Sequence, residues 1–99
     1  MKFIVSRKNN ENGMLLVVTD ADILGKKFED DKAQLDLTKK FYQGQEKNEA
    51  EVRETIKKAR HFHLTGTAAV TLGIDLGLIS KEKVLYVKKI PHAEVCVDF

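Results

Sequence analysis

Apolar and polar positions alternate with two different periods along this chain. Phe3 to Ser6 and Met14 to Thr19 are short, apolar and β-branched, with Asn9-Asn10-Glu11-Asn12-Gly13 between them. An Asn-Gly pair supplies the positive φ values that tight hairpin turns need, so residues 2–19 are expected to form a β-hairpin. Asp20 is placed to cap a short helical turn, Ala21 to Leu24, which Gly25 ends in the left-handed region. From Lys32 to Thr38 the period is two, with Ala33, Leu35 and Leu37 on one side and Gln34 and Asp36 on the other, as in a half-buried strand. Phe41-Tyr42-Gln43-Gly44 follows as an aromatic pair running into a glycine turn.

At Asn48 the period becomes helical. Asn48, with Glu51 three residues later, forms a capping box. Val52, Ile56, Ala59 and then Phe62 or His63 fall on one helical face, and the acid-first pairs Glu49–Arg53 and Glu54–Lys58 lie on its charged back. Leu64-Thr65-Gly66 interrupts the chain. Thr67 to Leu76 is uncharged except for Asp75 and predicts a helix buried on most sides, stopped by Gly77. Ser80 to Lys83 reads as one helical turn and Val84 to Lys88 as a strand. After Pro91 the alternation is clean, with Ala93, Val95, Val97 and Phe99 facing a core and His92, Glu94, Cys96 and Asp98 facing away. Strands flanking a helical pair predict the α+β class: a two-layer sandwich of a mostly antiparallel sheet with two helices packed on one face. At 99 residues the chain has room for one core, a single domain over residues 1–99.

Charge adds little to this picture and excludes some of it. Seventeen basic and 15 acidic side chains leave a net charge of +2, less than a protein bound mainly through phosphate neutralisation would carry. The bases cluster as dyads, Arg7-Lys8, Lys26-Lys27, Lys39-Lys40, Lys57-Lys58 and Lys88-Lys89, each of which serves either as a solvated element end or as part of a shared basic face. The one cysteine, Cys96, has no partner for an internal disulfide, which fits a reducing compartment. The longest apolar run, Met14 to Val18, is too short to span a bilayer, and Met1 to Val5 is no secretory core. A cytoplasmic protein without a membrane partner is expected.

The ordered pieces Ile23-Leu24-Gly25-Lys26-Lys27-Phe28, Phe41-Tyr42-Gln43-Gly44, Leu64 to Ile79 with Gly66 and Gly77, and Ile90-Pro91-His92-Ala93 together resemble a small archaeal family, domain of unknown function four-two-four. The resemblance spans nearly the whole chain. It departs from the family pattern at Gln43, where a second glycine is usual, and at Glu94, where a glutamine is usual; His61 and His63 match no family motif. It implies an archaeal source and a two-layer α/β arrangement, no established activity, and an association with translation and ribosome maturation.

Candidate chemistry is sparse. His61-Phe62-His63 and His92 raise a metal site, but His61 and His63 diverge if helical, and His92 and Cys96 stand about 13 Å apart along a strand. No metal and no cofactor is expected, and no catalytic residue is assigned: no Gly-x-Ser-x-Gly motif is present, and no base adjoins Cys96. Gly25-Lys26-Lys27 offers a backbone nest and two ammonium groups to a phosphate. Gly66-Thr67 stands at a helix start, where anions bind. Tyr42, ahead of Gly44, is the candidate for stacking on an unpaired base because of its polar tip. Pro91 fixes the backbone before His92, whose imidazole either stacks on a base, bonds a phosphate, or pins the corner by bonding backbone. The expected partner set is therefore Gly25, Lys26, Lys27, Tyr42, Gly44, Gly66, Pro91 and His92. The expected function is a non-catalytic RNA- or ribosome-associated binding module, with a protein–protein adaptor and a small enzyme centred on His92 as alternatives.

Overall fold

The computed structural model describes residues 1–10 and 13–96. The paired runs at the start become β1 (Lys2–Asn10) and β2 (Gly13–Asp20), antiparallel from Phe3 opposite Asp20 to Asn10 opposite Gly13. The tip of the expected Asn-Gly turn, residues 11 and 12, lies outside the described residues, as do Val97, Asp98 and Phe99. A helical turn at Ala21–Ile23 leads to a small separate hairpin of β3 (Lys27–Glu29) and β4 (Gln34–Asp36). The aromatic pair sits in another short turn, Lys40–Tyr42. β5 (Gln45–Asn48) then pairs antiparallel with β1.

The capping box forms as expected. Asn48 accepts from the Glu51 amide at 2.9 Å, Glu51 returns the bond at 3.1 Å, and α1 (Glu49–Ile56) begins there. Its continuation does not. The helix ends at Ile56, and His61–Thr65 is a strand, β6, parallel to β2. This corrects the helical placement of Phe62 and His63. The apolar spacing of α1 covers only two turns before Lys57-Lys58, and His61-Phe62-His63-Leu64-Thr65 itself alternates with a period of two. α2 (Thr67–Asp75) follows, then a turn at Lys81–Lys83, β7 (Leu85–Val87) and β8 (Ile90–Cys96).

The main sheet runs β5-β1-β2-β6-β8-β7, antiparallel except for β2–β6. The expected α+β class is observed: one large, mostly antiparallel sheet and two helices. On one face Phe3, Val5, Leu16, Val18, Phe62 and Leu64 pack with Val52 and Ile56 of α1 and Ala69, Val70 and Leu72 of α2. The other face is also covered. There Leu15 and Val17 meet Leu35, Leu37 and Tyr42, with Phe28 and Phe41 beside them. Burial on both sides explains why Leu15-Leu16-Val17-Val18 is continuously apolar, as in a central strand, and not alternating.

Candidate functional site

Two regions gather chemistry. The first is a cleft at the carboxyl ends of the parallel pair β2 and β6, where β6 passes through Gly66 into α2. Open α/β sheets place ligands at such ends. Asp20 closes β2 here and is 5% exposed. Its carboxylate accepts from the amides of Ala68 at 2.9 Å and Ala69 at 2.8 Å, so it caps α2 from 48 residues away. It makes no side-chain bond to its own turn at Ala21–Ile23, which corrects its expected role. Burial raises its pKa, against the opposing pull of the two amides.

Gly66 is fixed by this arrangement. Its φ is +107°, its amide donates to the Pro91 carbonyl at 2.8 Å, and a Cβ on it would overlap the Asp20 carboxyl. The expected anion site at Gly66-Thr67 is therefore corrected: two of the first amides of α2 already hold a carboxylate, which repels a second negative charge. Pro91 is buried, and its part is to seat Gly66. The cleft encloses about 460 Å³.

The second region is the sheet face opposite the helices. Because alternate strand residues share a face, register sets Thr19, Thr65 and His92 in one cross-strand row, Val17, His63 and Glu94 in the next, and Leu15, His61 and Cys96 in the third. All three histidines thus meet on one face, which the helical reading of His61 and His63 concealed. His61 Nε2 lies 3.7 Å from Glu94 Oε2. His63 packs edge-on against Phe41, centroids 5.2 Å apart, and against Tyr42 at 5.9 Å. Burial lowers the pKa of His63 and, separately, of His92. The hydroxyls of Thr19 and Thr65 and Nδ1 of His63 are buried without a protein partner. Among the described residues, no three His, Cys, Asp or Glu side chains gather to hold a metal ion.

The aromatic candidate changes place. Tyr42 is 9% exposed and belongs to the second core cluster, and burial raises the pKa of its phenol. Phe41, half-buried, is the ring that reaches the surface, with the Lys8 ammonium 5.7 Å from its centroid. Gly44 is needed by packing, since a Cβ there would run into the Val5 carbonyl of β1. Gly25 has the expected left-handed φ of +85°. Its amide, however, donates to the Leu37 carbonyl at 2.9 Å, and the Lys26 amide donates to Ile23 at 3.1 Å. These two amides cannot form the expected nest. Lys26 and Lys27 remain as exposed charges. His92 does not line the cleft that contains Gly66 and Asp20, so the structure brings together Gly66 and Pro91 but leaves Tyr42, Gly44 and the Gly25-Lys26-Lys27 turn elsewhere.

A sheet with a capped helix at its one parallel step, backed by a small hairpin, defines a compact α+β protein without a recognisable catalytic constellation among the described residues. By its sequence the chain belongs to the DUF424 family, proteins of unknown function, whose model matches residues 8–97. No curated protein matches it. Its fold is similar to the crystal structure of an uncharacterized conserved protein from Methanopyrus kandleri, with a TM-score of 0.78 and 16% identity over 100% of this chain and 96% of that one.

Proposed function

We propose that this protein is a non-catalytic binding module for RNA, acting in the cytoplasm on a ribosomal particle or one of its precursors. The observation that carries the reading is Phe41: a surface-reaching ring with an ammonium 5.7 Å from its centroid and the His63 imidazole packed nearly perpendicular to it at 5.2 Å. Single-stranded nucleic acid is held by aromatic rings that stack on bases and by cations that follow the backbone. Lys39 and Lys40, both exposed, precede the ring directly. Lys88 and Lys89 add two ammonium groups on the β7–β8 turn, held at φ of 50° and 69°, where L-residues are strained. Lys26 and Lys27 contribute charge alone.

The test is fluorescence anisotropy with a labelled, unstructured oligoribonucleotide across a salt series. Phe41→Ala should weaken binding by about 1–3 kcal/mol, and Lys8→Glu should reduce the salt slope by roughly one. Wild-type protein that fails to bind at low salt would sink the reading.

A protein partner is favoured by one separate observation. β7 is an edge strand, and its Leu85 and Tyr86 are 63% and 58% exposed, the form that strand addition uses. Association that survives nuclease and moderate salt, and is lost in Tyr86→Lys, would select this adaptor reading.

A further inference from the structure

The geometry points to the cleft between the ends of β2 and β6 and the start of α2 as a binding site for a small organic cation, an amine with an apolar body. Its volume of about 460 Å³ lies in the range of small-molecule sites. It stands where the parallel ladder stops and the chain turns into a helix. Ile23, Ala68, Leu72 and Ile90 supply apolar wall. Asp20, Asp22, Glu49 and Asp75 line the cleft with one basic side chain, Arg53, so acidic side chains outnumber basic ones by three in its wall.

The distribution of that charge sets the sign of the ligand. A helix start ordinarily favours anions, but Asp20 already holds the Ala68 and Ala69 amides. Arg53 is engaged with Glu49 at 3.1 Å. Asp22 and Asp75 are exposed carboxylates at the cleft, and among the described residues no ion pair neutralises them. An ammonium at the mouth meets them while its hydrocarbon part covers Leu72 and Ile90. An anionic or nucleic-acid ligand is repelled, which separates this site from the Phe41 face.

The probe is phenethylamine, compared with phenethyl alcohol and phenylacetate, titrated into the full chain and followed by amide chemical shifts. The expected order is amine, alcohol, acid, with the amine at least roughly tenfold tighter than the alcohol, about 1.4 kcal/mol. The shifts should centre on Gly66, Thr67, Ala68 and Thr71. Asp22→Asn with Asp75→Asn, both exposed and neither bonded to the amides that Asp20 caps, should bring amine and alcohol to equal affinity at nearly unchanged melting temperature. Thr71→Trp, an exposed helical position, should block both. No saturable binding of any probe, or equal affinity for amine and acid, would overturn the proposal.

Discussion

Asp20→Ala is the most informative single change. In the wild type its carboxylate satisfies two amides at the start of α2, one of them fully buried. Removing it orphans both donors. The Ala69 amide should lose the full desolvation cost of roughly 1–3 kcal/mol, while the Ala68 amide, part-buried, recovers some of its bond from water. Relief from holding a buried carboxylate offsets part of this. The net loss is about 2–3 kcal/mol, at or above the upper end for a helix cap. For a domain of this size that lowers Tm by about 10–20 °C, readable by thermal circular dichroism at neutral pH. Asp20→Asn keeps one acceptor and should lose about half as much; Asp22→Asn, on the exposed neighbour, should stay within about 0.5 kcal/mol. The pH dependence has a definite sign. Because burial raises the folded-state pKa above 3.8, the folded protein keeps a proton that the unfolded chain releases. This contribution is full below about pH 3.8 and is lost as pH rises through the raised value. The wild type's margin over Asp20→Asn should therefore shrink from acid toward neutral pH. An Asp20→Ala protein melting within about 2 °C of wild type would refute the long-range cap.

Other consequences are as direct. Gly66→Ala combines a left-handed φ with a clash against the Asp20 carboxyl and should cost more than about 3 kcal/mol, whereas Gly77→Ala, at φ +73° in open space, should cost about 1 kcal/mol; denaturant midpoints distinguish them. Lys88→Asn with Lys89→Gly suits the two-residue β7–β8 turn better and should stabilise by about 1 kcal/mol, while weakening any RNA binding that uses those lysines. His63 and His92 have pKa values lowered by burial, so each adds stability above pH 6.5 that is lost as pH falls through the unfolded value toward the folded one. Their ring proton signals should titrate below pH 6.5; titration above it would contradict the burial argument.

Local grammar read well where the governing interactions are local. The Asn48–Glu51 box, the β1–β2 pairing, the left-handed Gly25 and the apolar α2 all rest on residues within a few positions of one another. The errors lie where distant chain decides. β6 was hidden because Val52, Ile56 and Ala59 set a helical beat that Phe62 happens to continue, while the alternation through His61–Thr65 spans only five residues. The signal was there: three polar residues alternating with Phe62 and Leu64. Once β6 is a strand, His61, His63 and His92 share a face, and the candidate site moves with them. Asp20 could not be assigned to α2 from sequence, since its partners lie 48 and 49 residues away. Tyr42 and Phe41 are adjacent, and which one is buried depends on how Lys40–Tyr42 lies against Leu37 and β2. The run Leu15 to Val18 reads from sequence only as one arm of a hairpin; its continuous apolarity reflects a second cover, supplied by Leu35, Leu37 and Tyr42, that lies further along the chain.

The most direct test of the RNA reading is a chemical-shift titration of the isotopically labelled protein with an unstructured oligoribonucleotide at low salt. Saturable shifts are expected at Lys8, Lys39, Lys40, Phe41, His61 and His63, with the acidic cleft at Asp22, Thr71 and Asp75 undisturbed. No shifts, or shifts confined to the cleft or to Leu85 and Tyr86, would contradict it.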